Sequence, residues 1–240
     1  MHVERAPAKL TVLLRITGVR ADGYHLIDGE MVTLDYADVL EIGDGDDLKI
    51  VGPYAAGVPT GEQNLVRRAL AVTGRRAAVR LDKQVPAGAG LGGGSADAAA
   101  ILRWAGCSDL AVAAGLGADV AFCVVGGRAR VSGVGEVVEP LPFVARTYTL
   151  LIPAVPVSTP LVYRAWDDLG GPAASDGSVN DLEAPALVVA PELAEWRDRL
   201  AQVSGRRPQL AGSGGTWFVE GDFPGESRIV ARTVRALEDD

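Results

Sequence analysis

From Pro86 to Ala100 the chain reads Pro-Ala-Gly-Ala-Gly-Leu-Gly-Gly-Gly-Ser-Ala-Asp-Ala-Ala-Ala. Five of the seven residues from Gly88 to Gly94 are glycine, and the run leads straight into a helix start. Glycine admits positive φ and lets main chain approach a ligand closely. A helix N-terminus adds unpaired N–H groups and the positive end of its dipole. Together they form a phosphate cradle that needs no net positive charge. Its members are Pro86, Ala87, Gly88, Ala89, Gly90, Leu91, Gly92, Gly93, Gly94, Ser95 and Ala96. Ser95 is placed to cap the helix or to offer its hydroxyl to a metal-bound phosphate. The competing reading is a flexible loop before an ordinary capped helix. Gly88-x-Gly90-x-x-Gly93 also satisfies the dinucleotide pattern. That pattern needs a strand feeding tightly into its first glycine and opens a βαβ unit. Here Lys83–Ala87, with its proline, intervenes after a run of strands, which argues against a nicotinamide enzyme.

Lysine occurs only at positions 9, 49 and 83 among 23 basic residues. A lysine kept in an arginine-biased chain suits a place where a compact charge fits and a planar fork does not. Cys107 and Cys123 lack CxxC spacing, which disfavours a zinc site or disulfide framework and suits a reducing cytosol. His2 and His25 are the only histidines, so no two-histidine metal helix exists, and no protein metal site is expected. No Gly-Lys dipeptide completes a Walker A loop, and no GxSxG elbow is present.

These groups must be held by a chain of 240 residues that is 48% hydrophobic and 22% charged, a globular composition. A net charge of −8 argues against nucleic acid or a membrane surface as partner. No apolar run is long enough for a membrane span, and the N-terminus does not resemble a signal peptide, so a cytoplasmic location is expected. Strands are predicted over Lys9–Ile16, Glu30–Leu34, Val39–Ile42, Leu48–Val51, Ala77–Leu81, Arg128–Val131, Tyr148–Ile152 and Thr216–Glu220. Helices are predicted over Asn64–Val72, Ser95–Trp104, Leu161–Leu169, Pro191–Gln202 and Ser227–Leu237. Loops are expected at Gly18–His25, Gly170–Gly177 and Gly212–Gly215. Strands dominate the first part, and helices flank a few strands in the second. The reading is α+β with two lobes, residues 1–147 and 148–240.

Seven segments occur in the order of a known family. They are Pro7-Ala8-Lys9-Leu10, Arg20-Ala21-Asp22-Gly23-Tyr24-His25, Asn64-Leu65, Pro86 to Ala100, Leu116-Gly117-Ala118-Asp119-Val120, Gly133-Val134-Gly135-Glu136 and Gly212-Ser213-Gly214. The chain resembles the GHMP kinase superfamily and, through Ala-Asp-Gly-Tyr-His, its 4-diphosphocytidyl-2-C-methyl-D-erythritol kinase family. The resemblance implies an N-terminal ATP-binding domain like ribosomal protein S5 domain 2, a ferredoxin-like C-terminal domain, and a site in the cleft between them. It implies transfer of the ATP γ-phosphoryl group, with Mg2+ accompanying the nucleotide, to the 2-hydroxyl of a cytidine-diphosphate-linked sugar alcohol of isoprenoid biosynthesis. The chain would act as a monomer or homodimer.

The roles carry over residue by residue. Asp119 matches the general base, although its type and spacing alone suit a turn or N-cap aspartate. Lys9 matches the catalytic lysine. Tyr24 and His25 resemble a cytosine pocket, with Tyr163 as a second aromatic wall and Thr159 nearby. Asn64 and Lys83 match adenine-side positions, and Gly212, Ser213 and Gly214 match the third superfamily motif. Thr11 stands where the family usually has Asn, Ala121 where it has proline, and Gly215-Thr216-Trp217 departs from its smaller residues. Two other functions fit less well: the same chemistry on another alcohol, or a nucleotide-binding regulator without catalysis.

Overall fold

The computed structural model describes residues 1–174 and 177–236. Its first sheet is organised by two long strands, β1 (His2–Val19) and β2 (His25–Gly43), paired antiparallel. The turn between them is tight. Gly23 takes φ +87°, Arg20 N–H donates to the Tyr24 carbonyl at 2.7 Å, and His25 already opens β2. The expected loop at 18–25 is therefore shorter than its glycines suggested. The two strands expected over 30–34 and 39–42 are one. Asp35 and Asp38, which lie between them, both have partners. Asp35 accepts from the Arg232 amide at 2.7 Å, and Asp38 is buried against Lys83.

Next come β3 (Leu48–Val51), α1 (Leu65–Val72), β4 (Ala78–Asp82), α2 (Gly93–Trp104), α3 (Leu110–Leu116), α4 (Val120–Val125), β5 (Arg128–Gly133) and β6 (Val137–Pro140). The sheet order is β3-β4-β2-β5-β6, with β1 also on β2. Helix α2 is central. Ala98, Ala99, Ala100, Ile101 and Leu102 are all fully buried, as expected of a helix that is apolar nearly all round. The sequence reading missed α3, whose Gly115 weakens its helical signal, although Asp109 caps it with a bond to the Ala111 amide.

The second sheet begins with β7 (Thr147–Leu151). It is followed by α5 (Thr159–Asp168), α6 (Glu183–Val189), α7 (Leu193–Ser204), β8 (Gln209–Leu210), β9 (Trp217–Glu220) and β10 (Arg228–Arg232). The order β10-β7-β9-β8 is the ferredoxin-like one. The helix expected over 227–237 is absent from the described residues, and Leu237 lies outside them. Residues 228–232 pair in register with β7, from Arg228↔Leu151 to Arg232↔Thr147. The apolar spacing suited either state, and β-branched Ile229 and Val230 found a strand partner. The second crossover is thus a loop. Helix α6, with Pro185 and two terminal valines, was also unforeseen. Of the loop expected over 170–177, residues 175 and 176 lie outside the description.

The lobes interlock beside the glycine loop. Leu14 of β1 donates to the Val179 carbonyl at 2.9 Å and accepts from the Asp181 amide at 3.0 Å. One apolar cluster joins Ala8 and Leu10 of β1, Ala89 and Leu91 of the glycine loop, and Leu150, Ala211 and Phe218 of the second lobe.

Candidate active site

Alternation fixes the glycine loop. Ala89 and Leu91 bury their side chains in that shared cluster, while Gly88, Gly90 and Gly92 take φ of +73°, +80° and +66°. The loop is thus nailed down by two methyl-bearing residues, and its main chain faces outward between them. Helix α2 starts at Gly93, with Gly92 as a left-handed N-cap and no side-chain cap. Ala96 N–H makes the first intrahelical bond, to the Gly92 carbonyl at 2.8 Å. The amides of Gly93, Gly94 and Ser95 stand ahead of that ladder. Ser95 therefore lies inside the first turn. It is not the cap, and its hydroxyl remains on the half-exposed face.

Lys9 and Thr11 share one face of β1, and Leu10 points the other way into the core. Lys9 is 5% exposed, and its stem lies along the loop: a Cβ on Gly92 would come within 2.7 Å of Lys9 Cγ. Its Nζ donates to Thr11 Oγ1 at 3.1 Å and stands 3.2 Å from Asp119 Oδ2. Asp119 precedes α4 but makes no capping bond. Its carboxylate turns to Lys9 and remains 30% exposed, open to a ligand. Gly135 supports this corner, since a Cβ there would meet the Ala118 carbonyl at 2.9 Å. Ala121 is fully buried in α4 and takes no part in the site surface.

The Gly212–Gly214 turn closes from the second lobe. A Cβ on Gly90 would lie 2.5 Å from the Ala211 carbonyl oxygen and 2.9 Å from Gly214 Cα. The two glycine loops thus touch main chain to main chain. Thr216 stitches them together by donating from Oγ1 to the Ala89 carbonyl at 2.6 Å. Buried Asn180, which the sequence reading missed, donates to the carbonyls of Leu210 and Gly212 at 2.9 and 2.7 Å.

A cavity of about 820 Å3 runs from this junction. It is lined by Lys9, Thr11, Asp119, Gly212 and Ser213 at one end and by Tyr24, His25 and Tyr163 at the other. Thr159 Oγ1 meets Ser213 Oγ at 2.8 Å, which ties α5 to the third glycine turn. Burial, then the charge of Asp119, pushes the Tyr163 phenol up to about 12, so it stays neutral. Tyr24 is 61% exposed at the rim, beneath the Arg20 guanidinium. Trp166 and Asp167, both unforeseen, surround His25 together with Tyr163. Thr159, Tyr163 and Asp167 recur every four residues, and that helical spacing was a usable signal.

Two expected nucleotide contacts are placed elsewhere. Lys83 is 2% exposed, and its ammonium is spent on Asp38 and, at 2.8 Å, on Asp97. Burial alone would lower its pKa, but Asp97 and Asp38 outweigh that and raise it. Its side chain supports α2 from below through Asp97. Asn64 is the N-cap of α1: its Oδ1 accepts from Val66 N–H at 2.8 Å, and its amide donates to the Pro59 carbonyl at 2.7 Å. Both side chains are bonded to groups of the protein itself.

A glycine loop at a buried helix start, an amine–carboxylate pair and a second-lobe glycine turn define the class, the GHMP kinases. Residues 64–127 match the GHMP kinases N terminal domain. The whole chain belongs to the 4-diphosphocytidyl-2-C-methyl-D-erythritol kinase family within that class. It is 40% identical to the enzyme of that name from Paracoccus denitrificans, over 90% of this chain and 85% of the relative. It is 39% identical to the one from Cereibacter sphaeroides (strain ATCC 17025 / ATH 2.4.3), over 96% and 93%. A crystal structure of a 4-(cytidine 5'-diphospho)-2C-methyl-D-erythritol kinase superposes with TM-score 0.75 at 30% identity, covering 97% of this chain and 99% of that one. A mevalonate kinase at 11% identity and TM-score 0.60 shares the fold. Among the described residues, no helix is long and apolar enough to cross a membrane.

Proposed function

We propose that the chain transfers the γ-phosphoryl group of ATP to the 2-hydroxyl of 4-diphosphocytidyl-2-C-methyl-D-erythritol. The observation that carries this reading is one cavity with Lys9 and Asp119 at the glycine-loop end and the aromatic group around His25 at the other. Such a cavity suits an acceptor that is a base at one end and an alcohol at the other. In the transfer, Asp119 accepts the hydroxyl proton as the alcohol oxygen bonds to the γ-phosphorus. The bond from that phosphorus to the β-phosphate oxygen breaks, and ADP leaves. The Lys9 ammonium lies where negative charge develops on the attacking oxygen. The amides of Gly93, Gly94 and Ser95 face the phosphates.

Magnesium would accompany the nucleotide and neutralise phosphate charge. Among the described residues, no group of three His, Cys, Asp or Glu gathers to hold a metal. The donor chemistry therefore suits an ion carried on phosphate oxygens, with the Ser95 hydroxyl as the chain's contribution. The free thiols Cys107 and Cys123 favour the cytoplasm.

The test is to mix the protein with ATP, magnesium and the diphosphocytidyl alcohol and to follow ADP release and the phosphorus spectrum of the product. A new phosphomonoester on the acceptor is expected. ADP release with homoserine or mevalonate but none with the cytidyl alcohol would overturn the substrate assignment.

A further inference from the structure

Of the side chains around the cavity, His25 is held on three sides by α5. Its side chain is 9% exposed. The Tyr163 ring lies 4.8 Å away at 38°, and the Trp166 ring meets it edge-on at 5.4 Å. Its Nε2 is 2.8 Å from Asp167 Oδ1. All three neighbours come from one stretch of α5, at spacings of three and four residues. The two rings hold the imidazole plane, and the carboxylate decides which nitrogen carries the proton. An ionised carboxylate only accepts, so Nε2 must be the donor. In a neutral imidazole that leaves Nδ1 as a lone-pair acceptor, and it takes no hydrogen bond among the described residues.

We propose that Asp167 is a specificity-determining positioning residue: it locks His25 as the Nε2–H tautomer, so that Nδ1 accepts from the exocyclic amino group of a cytosine. The inference rests on the proposed function and adds the origin of base selectivity. Cytosine presents an amino donor at the position where uracil presents a carbonyl acceptor. A fixed lone pair is satisfied by the first and opposed by the second. Discrimination of this kind comes from leaving a polar group unpaired in a dry pocket, which costs more than a missing apolar contact. The other charged groups along the cavity are Lys9, Asp22, Asp119, Glu136 and Arg164, and none of them is bonded to His25.

The experiment compares cytidine diphosphate and uridine diphosphate by calorimetric titration of the wild type, Asp167→Ala and Asp167→Asn, with ATP titrated as control. The side chain of Asp167 is 48% exposed at the end of α5, and alanine favours helix, so the fold tolerates the change. Wild type should bind the cytidine nucleotide about tenfold or more tightly. Asp167→Ala should shrink that gap to about threefold or less and leave ATP affinity unchanged. Asp167→Asn keeps an acceptor oxygen and should retain part of the gap. The tautomer is read directly from two-bond nitrogen–proton NMR correlations. His2→Gln leaves His25 as the sole imidazole, and its Nε2–H signature should become mixed in Asp167→Ala. Cytidine binding with an unchanged cytidine-to-uridine ratio in Asp167→Ala overturns the tautomer lock alone. So does an Nδ1–H or doubly protonated His25 in wild type. A wild type that binds ATP but neither pyrimidine nucleotide overturns the cytidine reading and the lock with it.

Discussion

The two ends of the cavity are built from different materials. At the phosphate end the functional groups are main-chain amides, and the side chains that matter there, Ala89 and Leu91, face away from the ligand. At the base end the functional groups are side chains, His25 from β2 and Tyr163 and Asp167 from α5, brought together where the two lobes pack. The first end is specified by what the sequence leaves out, a Cβ at each close approach. The second is specified by what it adds. The phosphate end should therefore fail when a side chain is introduced at a close approach, and the base end when a side chain is removed.

Lys9 and Asp119 stand at the glycine-loop end as the groups proposed to act on the transferred atoms, so changing them should have the largest effect. Asp119→Asn keeps the shape and removes the proton acceptor. Turnover should fall by about 10³-fold or more, with ATP and cytidine diphosphate affinities within about threefold of wild type. Lys9→Met keeps the stem along Gly92 and removes the charge; turnover should fall about 10²-fold while the ATP Michaelis constant holds. Steady-state kinetics with direct binding checks both. Wild-type turnover in Asp119→Asn removes that residue from the mechanism.

The next largest effect is expected from filling the phosphate end. In Gly90→Ala the new methyl meets the Ala211 carbonyl at 2.5 Å and the Gly214 Cα at 2.9 Å, on a backbone at φ +80°. Both glycine loops must shift, and the ATP Michaelis constant should rise about tenfold or more. Gly88→Ala is the control: its φ is +73°, but a Cβ there meets nothing within 4 Å. It should cost only the positive-φ strain of about 1 kcal/mol, seen as a lowered denaturant midpoint with ATP kinetics preserved. Equal kinetic damage from both would mean that close packing of the two loops is not what matters. Tyr163→Leu, at the base end, should raise the acceptor Michaelis constant about tenfold and leave that for ATP alone.

The difference in material also explains what was legible in the sequence. Glycine spacing announces a phosphate loop because few other structures need positive φ at alternate positions. Asp119 was not legible by its type: next to α4 it reads as a cap, and only family order suggested catalysis. In the fold it makes no capping bond, and its carboxylate turns to Lys9. Family order alone puts Lys83 on the adenine side, and its burial was not legible, because its partner Asp38 is 45 residues away. Asp167 had the helical spacing of a cavity residue, yet its contact with His25 crosses 142 residues of chain and both lobes. The strand at 228–232 was lost for the same reason, because β7 decides it and local periodicity does not.

The smallest effect on turnover is expected beneath the phosphate end, where Lys83 lies between two carboxylates. One ammonium balances one carboxylate. Asp38 also accepts from the amides of Gln84 and Val85 at 2.5 and 2.7 Å. Asp97 has Lys83 at 2.8 Å and an Oδ1 with no partner among the described residues. Burial, then the charge of Asp38, pushes the Asp97 carboxyl up to about 8 against the pull of Lys83. The native chain then holds a proton that the unfolded chain loses near pH ~4. Stability contributed by this group is complete below that pH and declines as pH rises toward about 8. Asp97→Asn cannot titrate. It should flatten the slope of the urea midpoint between about pH 5 and 8, while turnover at neutral pH changes less than about threefold. If the wild-type slope were unchanged in Asp97→Asn, both carboxylates would be ionised in the folded protein. Lys83 would then be balancing two charges under the glycine loop.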